Sequence, residues 1–403
     1  MRLVVLLLAV LAIAVVVAVR VWPRSTHPSA AVPPRPTSVP SAVSPSTPET
    51  TRTPPLWPTA PEACGGIAEL PIVSSTAAKE RTGIKVLLGG AGLRTVDFDS
   101  GHAAPLPRSP LRPGEFVDDL ISASQTYAAT GGCASRQPRV LRIGADGRAS
   151  VLVPSLPSNE TVLADGPHAW GVTYPDEQHP NGLLIPLDAG KRVRLPPGFW
   201  PNAITDGVVV GTVQSTPGHS SVLLVDATTG HVRANLGNGS DPAAGHGLVV
   251  WTEGCDFVGD KPQPCTAHRR SVTGGSTTSD RLPRPAATGI VSRDGRQVAL
   301  TLEHADPDPR YQPVIPLPND IAVLQLDTGV LEIVPGIESP AKMSPGLAFS
   351  ADGRWLVIAL DAGSKTRLLA WRPGLAHPYE STSIAGKGLG MAPIAVLPSR
   401  RNG

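Results

Sequence analysis

Residues 349–360 read FSADGRWLVIAL. A short apolar stretch ends at Ser350, Ala351-Asp352-Gly353-Arg354 follows, and an apolar, β-prone run continues from Trp355 to Leu360. Asp-Gly between two apolar runs is a strong hairpin signal, because glycine takes the positive φ that a tight turn demands. The fold turns on whether this hairpin is single or one copy of a repeat.

A repeat is present. From about residue 84 a unit recurs: an apolar run, a turn containing glycine, then a short strand. The turn glycines are Gly101, Gly147, Gly190, Gly230, Gly274, Gly329 and Gly374, which stand 40 to 46 residues apart save for one gap of 55. Before each of the later copies comes a second hairpin: 163–174, 203–213, 243–253, 289–303 and 346–360, with a weaker counterpart at 120–132. Each unit therefore reads strand a, Asp-Gly-type turn, strand b, connection, strand c, glycine turn, strand d. A period near 40–45 residues with four short strands per period is the pattern of a β-propeller blade. Seven such turns predict an all-β chain, a β-propeller of seven four-stranded blades. Six or eight blades, or two β-sandwich domains, are the alternatives. The first unit lacks an a–b hairpin, and the tail GMAPIAVLP at 390–398 has a strand to spare. That strand is expected to complete the first blade and close the ring, which removes an exposed sheet edge.

The pentapeptides Ser292-Arg293-Asp294-Gly295-Arg296 and Ser350-Ala351-Asp352-Gly353-Arg354, each followed by an apolar strand b, resemble the S-x-D-G-[KR] turn of the WD40-like repeats in TolB-type propellers. The likeness is close in two units and looser elsewhere. It implies a propeller over about 64–398, and it implies little about activity, since propellers host many unrelated functions.

What precedes the repeat sets the expected location. Residues 3–19 are uninterrupted apolar sequence between Arg2 and Arg20, about the minimum for a membrane span. With no polar face they do not read as a core helix. Residues 1–22 are expected to be a signal-anchor transmembrane helix, a cleaved signal peptide being the alternative; both place the rest of the chain outside the cytoplasm. Residues 23–62 are dominated by Pro, Ser and Thr and cannot bury enough apolar surface to offset ordering entropy. They are expected to form a disordered stalk reaching about 100 Å when extended, with 63–398 as the propeller and 399–403 as a disordered tail. A net charge of +2 over 403 residues gives no nucleic-acid footprint.

Four cysteines, Cys64, Cys133, Cys255 and Cys265, read as disulfides in an exported chain. Cys255 and Cys265 share one loop and make the easiest bridge, leaving Cys64 with Cys133. No C-x-x-C is present and His268 is the one histidine near the later pair, which argues against zinc.

In a propeller the b–c and d–a connections share one face and the short a–b and c–d turns the other. The b–c connections at 175–181, 255–265 and 303–320 are long, which marks their face as the candidate binding face; tolerated insertion is the competing reading. The loop at 303–320 supplies the candidate ligand residues Glu303, His304, Asp306, Asp308, Arg310 and Tyr311. Arginine and tyrosine are favoured at binding hot spots, whereas the acid spacing matches no calcium loop. No G-x-S-x-G elbow, phosphate loop or haem motif appears. SADGRW is too short for the Asp box of sialidases. Asn159-Glu160-Thr161 and Asn238-Gly239-Ser240 fit the N-glycosylation pattern.

These features point to a membrane-tethered, extracytoplasmic binding or scaffolding module of the cell envelope, monomeric and without a cofactor. Its expected partner is an envelope protein or cell-surface ligand. The alternative is a lactonase- or cyclase-like propeller enzyme using channel-mouth carboxylates, with or without a divalent metal.

Overall fold

A computed structural model describes residues 72–74 and 80–397, apart from positions 91, 107–108, 113–114, 133–137, 145, 156–159, 176–179, 217–218, 256, 259–260, 304–318, 340–344, 362–364 and 386–392. The anchor, the stalk, Cys64 and Cys133 lie outside the described residues. Among those described there is no helix. Seven four-stranded antiparallel sheets follow one another along the chain, and the repeat is a seven-bladed β-propeller.

Blades 2 to 7 each take four consecutive main strands, a innermost to d outermost. Their a strands are Glu115–Ser122, Glu160–Asp165, Phe199–Thr205, Ser240–Gly245, Ala286–Val291 and Gly346–Phe349. Blade 1 borrows its strand a from the far end of the chain: Ile394–Val396 pairs antiparallel with Lys85–Leu88, Leu87 opposite Ala395. The ring closes where the unpaired C-terminal strand indicated. A second closure was not legible in the repeat. Ile72–Ser74 adds a fifth strand to the outer edge of blade 7, pairing with Tyr379–Ala385.

The b strands are apolar on both faces because both faces are buried. In blade 7, Val357 and Ala359 pack toward blade 1 with Trp355, Val86 and Val96. Leu356, Ile358 and Leu360 pack the other way, toward Val323 and Val334 of blade 6. The same division recurs around the ring, with one apolar cluster at each junction between neighbouring blades. A strand buried on two sides loses the apolar–polar alternation of a surface strand, which is why LVIAL and LVVW read as continuous runs.

The Ser-x-Asp-Gly turn is a hydrogen-bonded unit. Ser350 is 4% exposed. Its hydroxyl donates to Asp352 Oδ1 and accepts from Trp355 N–H at 2.9 Å, while Gly353 N–H donates to the Ser350 carbonyl at 2.9 Å. Ser292, Asp294 and Gln297 repeat the arrangement in blade 6. The turns also fit against one another. A Cβ on Gly353, whose φ is +72°, would meet the Asp294 carboxylate of blade 6 at 2.8 Å, and one on Gly247 would meet Asp206 Oδ2 of blade 4 at 2.4 Å. Each glycine thus serves its own turn and leaves room for the acid of the preceding blade's turn.

Truncating the Ser350 hydroxyl strands the buried Trp355 N–H without an acceptor, a loss of about 1–3 kcal/mol. Ser350→Ala is expected to lower the urea midpoint by that amount with an unchanged m-value, and no change in midpoint would refute the role given to this hydroxyl.

Candidate functional site

The innermost strands line the axial channel, and four of them bulge. The ladder shifts register between Val117 and Asp119 in blade 2, Pro201 and Ala203 in blade 4, Ser240 and Ala243 in blade 5, and Thr288 and Val291 in blade 6. A bulge inserts an unpaired residue and re-aims its side chain. Here the inserted positions include Asp118, Asn202 and Asp241, all exposed although they lie on innermost strands. Asp241 holds a positive φ of 45° without being glycine, a conformation that costs energy and recurs at functional positions.

Asp118 and Asp119 sit side by side in blade 2. Desolvation by the surrounding channel wall pushes both carboxyls up, though Asp118 keeps part of its side chain in solvent; Asp119 reaches about 6, with the Asp118 charge adding to the shift against one hydrogen bond from Leu120 N–H. Tyr174, just beyond strand b of blade 3, feels Asp119: burial raises its phenol, a hydrogen bond with Thr161 opposes this, and the Asp119 charge adds to the rise. Tyr174 stacks on Trp200 of blade 4, ring centroids 5.1 Å apart, and Trp200 is 49% exposed. Across the ring, burial and then the Asp241 charge raise the carboxyl of Glu303, which ends strand b of blade 6.

No cationic side chain among the described residues pairs with Asp118, Asp119, Asp241 or Glu303. The acids of the blades themselves are handled differently. Arg139 and Glu115, 4% and 5% exposed, form a buried pair. Burial alone would raise the Glu115 carboxyl; hydrogen bonds from Arg139, Arg112 N–H and Thr130 outweigh it and hold the group below the ordinary carboxylate range. Asp226 with Arg233, Asp280 with Arg269, Asp320 with Arg284 and Glu380 with Arg367 are likewise paired. Among the described residues no three His, Cys, Asp or Glu side chains converge to hold a metal.

The opposite end of the channel is spanned. Arg293, the second residue of the blade 6 Ser-x-Asp-Gly turn, donates to the carbonyl of Ala123 in the blade 2 turn. Burial lowers its pKa.

Of the residues expected from sequence, Glu303 stands at the mouth, and His304, Asp306, Asp308, Arg310 and Tyr311 lie outside the described residues. Cys255 is bonded to Cys265 with Cα atoms 4.7 Å apart, as the spacing suggested. The small hairpin Phe257–Val258 with Lys261–Pro262 inside that loop was not foreseen. Asp118, Asp119, Tyr174, Trp200 and Asp241 were missed. One signal was available: Val117 and Leu120 are both buried, and two acids between buried residues break the two-residue strand period.

The Asp119 shift fixes the sign of a stability effect. A carboxyl titrating near 6 in the folded chain and near 3.9 when unfolded destabilises the fold above pH 6, and the cost fades as pH falls toward 4. Asp119→Asn is expected to raise thermal stability at pH 7 and to have little effect at pH 4. An equal effect at both would show that burial of this charge is not its cause.

No protein-family model matches the sequence, and neither does any curated protein. Solved structures match at low identity. TolB from Acinetobacter baumannii is 14% identical, covering 80% of this chain and 68% of its own, with a TM-score of 0.42. Apo AztD from Citrobacter koseri is 10% identical over 78% of this chain and 97% of its own, TM-score 0.45. A prolyl endopeptidase structure is 13% identical over 75% of this chain and 49% of its own, TM-score 0.45. These are likenesses of fold. The chain is a seven-bladed β-propeller, consistent with the TolB-type resemblance of its Ser-x-Asp-Gly-Arg turns.

Proposed function

We propose that this chain is a binding module which captures a cationic group, a basic peptide segment of an envelope protein or a cell-surface ligand, at the loop-side mouth of its channel. One observation carries the reading. Among the described residues the mouth holds carboxylates without cationic partners beside an exposed aromatic stack, whereas Glu115, Asp226, Asp280, Asp320 and Glu380 elsewhere on the blades each pair with arginine. Uncompensated charge in a partly desolvated site is costly, and a cationic ligand relieves that cost. Tyr174 and Trp200 offer the face on which an alkylammonium or guanidinium group packs. The apolar segment and Pro/Ser/Thr stalk add an expected setting: tethered outside the cytoplasm, where tethering raises effective concentration near the membrane.

Oligolysine and oligoglutamate peptides test the polarity of the mouth. By calorimetry on the purified full chain, oligolysine is expected to bind and oligoglutamate not. The double variant Asp118→Asn, Asp119→Asn should weaken oligolysine binding by about tenfold or more, as should acidification below pH 6, because protonated Asp119 carries no charge. Binding that is indifferent to both changes would refute the assignment. Setting is tested separately: protease added to intact cells is expected to remove the propeller while a cytoplasmic control survives.

A further inference from the structure

On the face of blade 5 that packs toward blade 4, three side chains from neighbouring strands form a relay. Ser279 of strand d (Gly274–Leu282) lies opposite His268 of strand c (Cys265–Ser271) in the ladder. Its Oγ is 2.8 Å from His268 Nδ1. The other ring nitrogen, Nε2, is 2.9 Å from Glu253 Oε2, at the end of strand b. The imidazole is held flat against the buried Trp251 ring, centroids 5.2 Å apart and planes 28° apart.

These contacts decide the tautomer. An ionised carboxylate only accepts hydrogen bonds, so Nε2 must carry the proton that Glu253 receives. In the neutral ring Nδ1 is then an acceptor, and the Ser279 hydroxyl donates to it. This is the arrangement of an activated nucleophile: hydroxyl, base within hydrogen-bond reach, and a third group orienting the base. A polar ladder built only to satisfy buried groups would have little need of it, since Ser279 is exposed.

We propose that Ser279, His268 and Glu253 form a second site, a nucleophilic serine centre for ester hydrolysis. Ser279 Oγ attacks the ester carbonyl carbon, its proton passes to His268 Nδ1, and the carbonyl electron pair moves onto oxygen. Collapse of that intermediate breaks the bond to the alcohol oxygen, which takes the proton from His268. Water then attacks the acyl carbon, again losing a proton to His268; the acyl–Oγ bond breaks and the proton returns to Ser279. The net change is ester plus water to acid plus alcohol. Arg281 lies two residues along the same strand and so on the same face. It is exposed and without an ionic partner among the described residues, which makes it the cation available to the developing oxyanion. Partly buried Ala234 and Leu236 of blade 4, packed in the same cluster as Trp251, give the acyl group an apolar wall. Glu253 is a positioning residue and the other two are catalytic.

The test uses the purified full-length chain with a fluorophosphonate and, separately, p-nitrophenyl acetate. One phosphonyl adduct on Ser279 is expected by intact and peptide mass. Ser279→Ala should abolish it without shifting the melting temperature, because the side chain is exposed. His268→Asn should slow ester turnover by about 100-fold or more. Glu253→Gln should lower turnover and move its pH profile, a change that a purely structural role would not produce. No adduct on the folded chain, or an adduct that persists in Ser279→Ala, would overturn the proposal.

Discussion

Three residues at the C-terminal end of the ring govern the rest of this fold. Ile394, Ala395 and Val396 supply the innermost strand of blade 1, and their side chains join the seams on both sides of it: Ile394 and Val396 face blade 7, Ala395 faces blade 2. Each seam is an apolar cluster shared by two blades, so no blade buries both faces of its central strands alone. Repeat arrays of this kind gain stability from neighbour interfaces rather than from isolated units. A ring with one strand missing would leave blade 1 without its inner edge and two seams short of partners. Blade 1's own Lys85–Leu88, three of whose four residues are buried, would then present an unpaired edge to the channel.

Much of this was written in the sequence, because it depends on local chemistry repeated at a fixed interval. Asp352-Gly353 and Asp294-Gly295 mark turns by backbone requirement alone. The b strands are recognisable since burial on both sides demands continuous apolar residues. The closing strand could be inferred from one missing hairpin at the start and one surplus strand at the end. The outer strand Ile72–Ser74 was not legible: a three-residue edge strand carries no period, and its partner is more than 300 residues away. The site was less legible still. Long loops drew attention to 303–320, of which Glu303, Asn319 and Asp320 alone are described, whereas the mouth is built largely from bulges in the inner strands. A bulge leaves a faint trace, two acids between buried Val117 and Leu120, and only the ring brings Asp119 near Tyr174. The His268 relay was invisible for the same reason: its three members are neighbours across a sheet, not along the chain.

The acids divide into two populations with different physics. Glu115, half-encircled by donors and paired with Arg139, titrates low and favours the folded state at neutral pH. Asp119, desolvated beside a like charge, titrates high and works against it. Natural chains retain such destabilising groups where they serve a purpose beyond folding. The glycine turns on the opposite face show the contrasting economy. There every carboxylate of the Asp-Gly pairs described above has a serine, a backbone N–H or a neighbouring turn to rest on, and Arg293 ties blade 6 to blade 2 across the axis.

The strand Ile72–Ser74 also determines how the domain responds to mechanical load. Tension on the polypeptide preceding Ile72 enters at the outer rim of blade 7, through a short ladder to Thr382, Ser383 and Ile384. The channel acids and the aromatic stack lie on or near the innermost strands of other blades. Peeling that rim strand would absorb the first pull and leave the central strands in register, so the domain can be tugged from its N-terminal side without distorting the channel mouth.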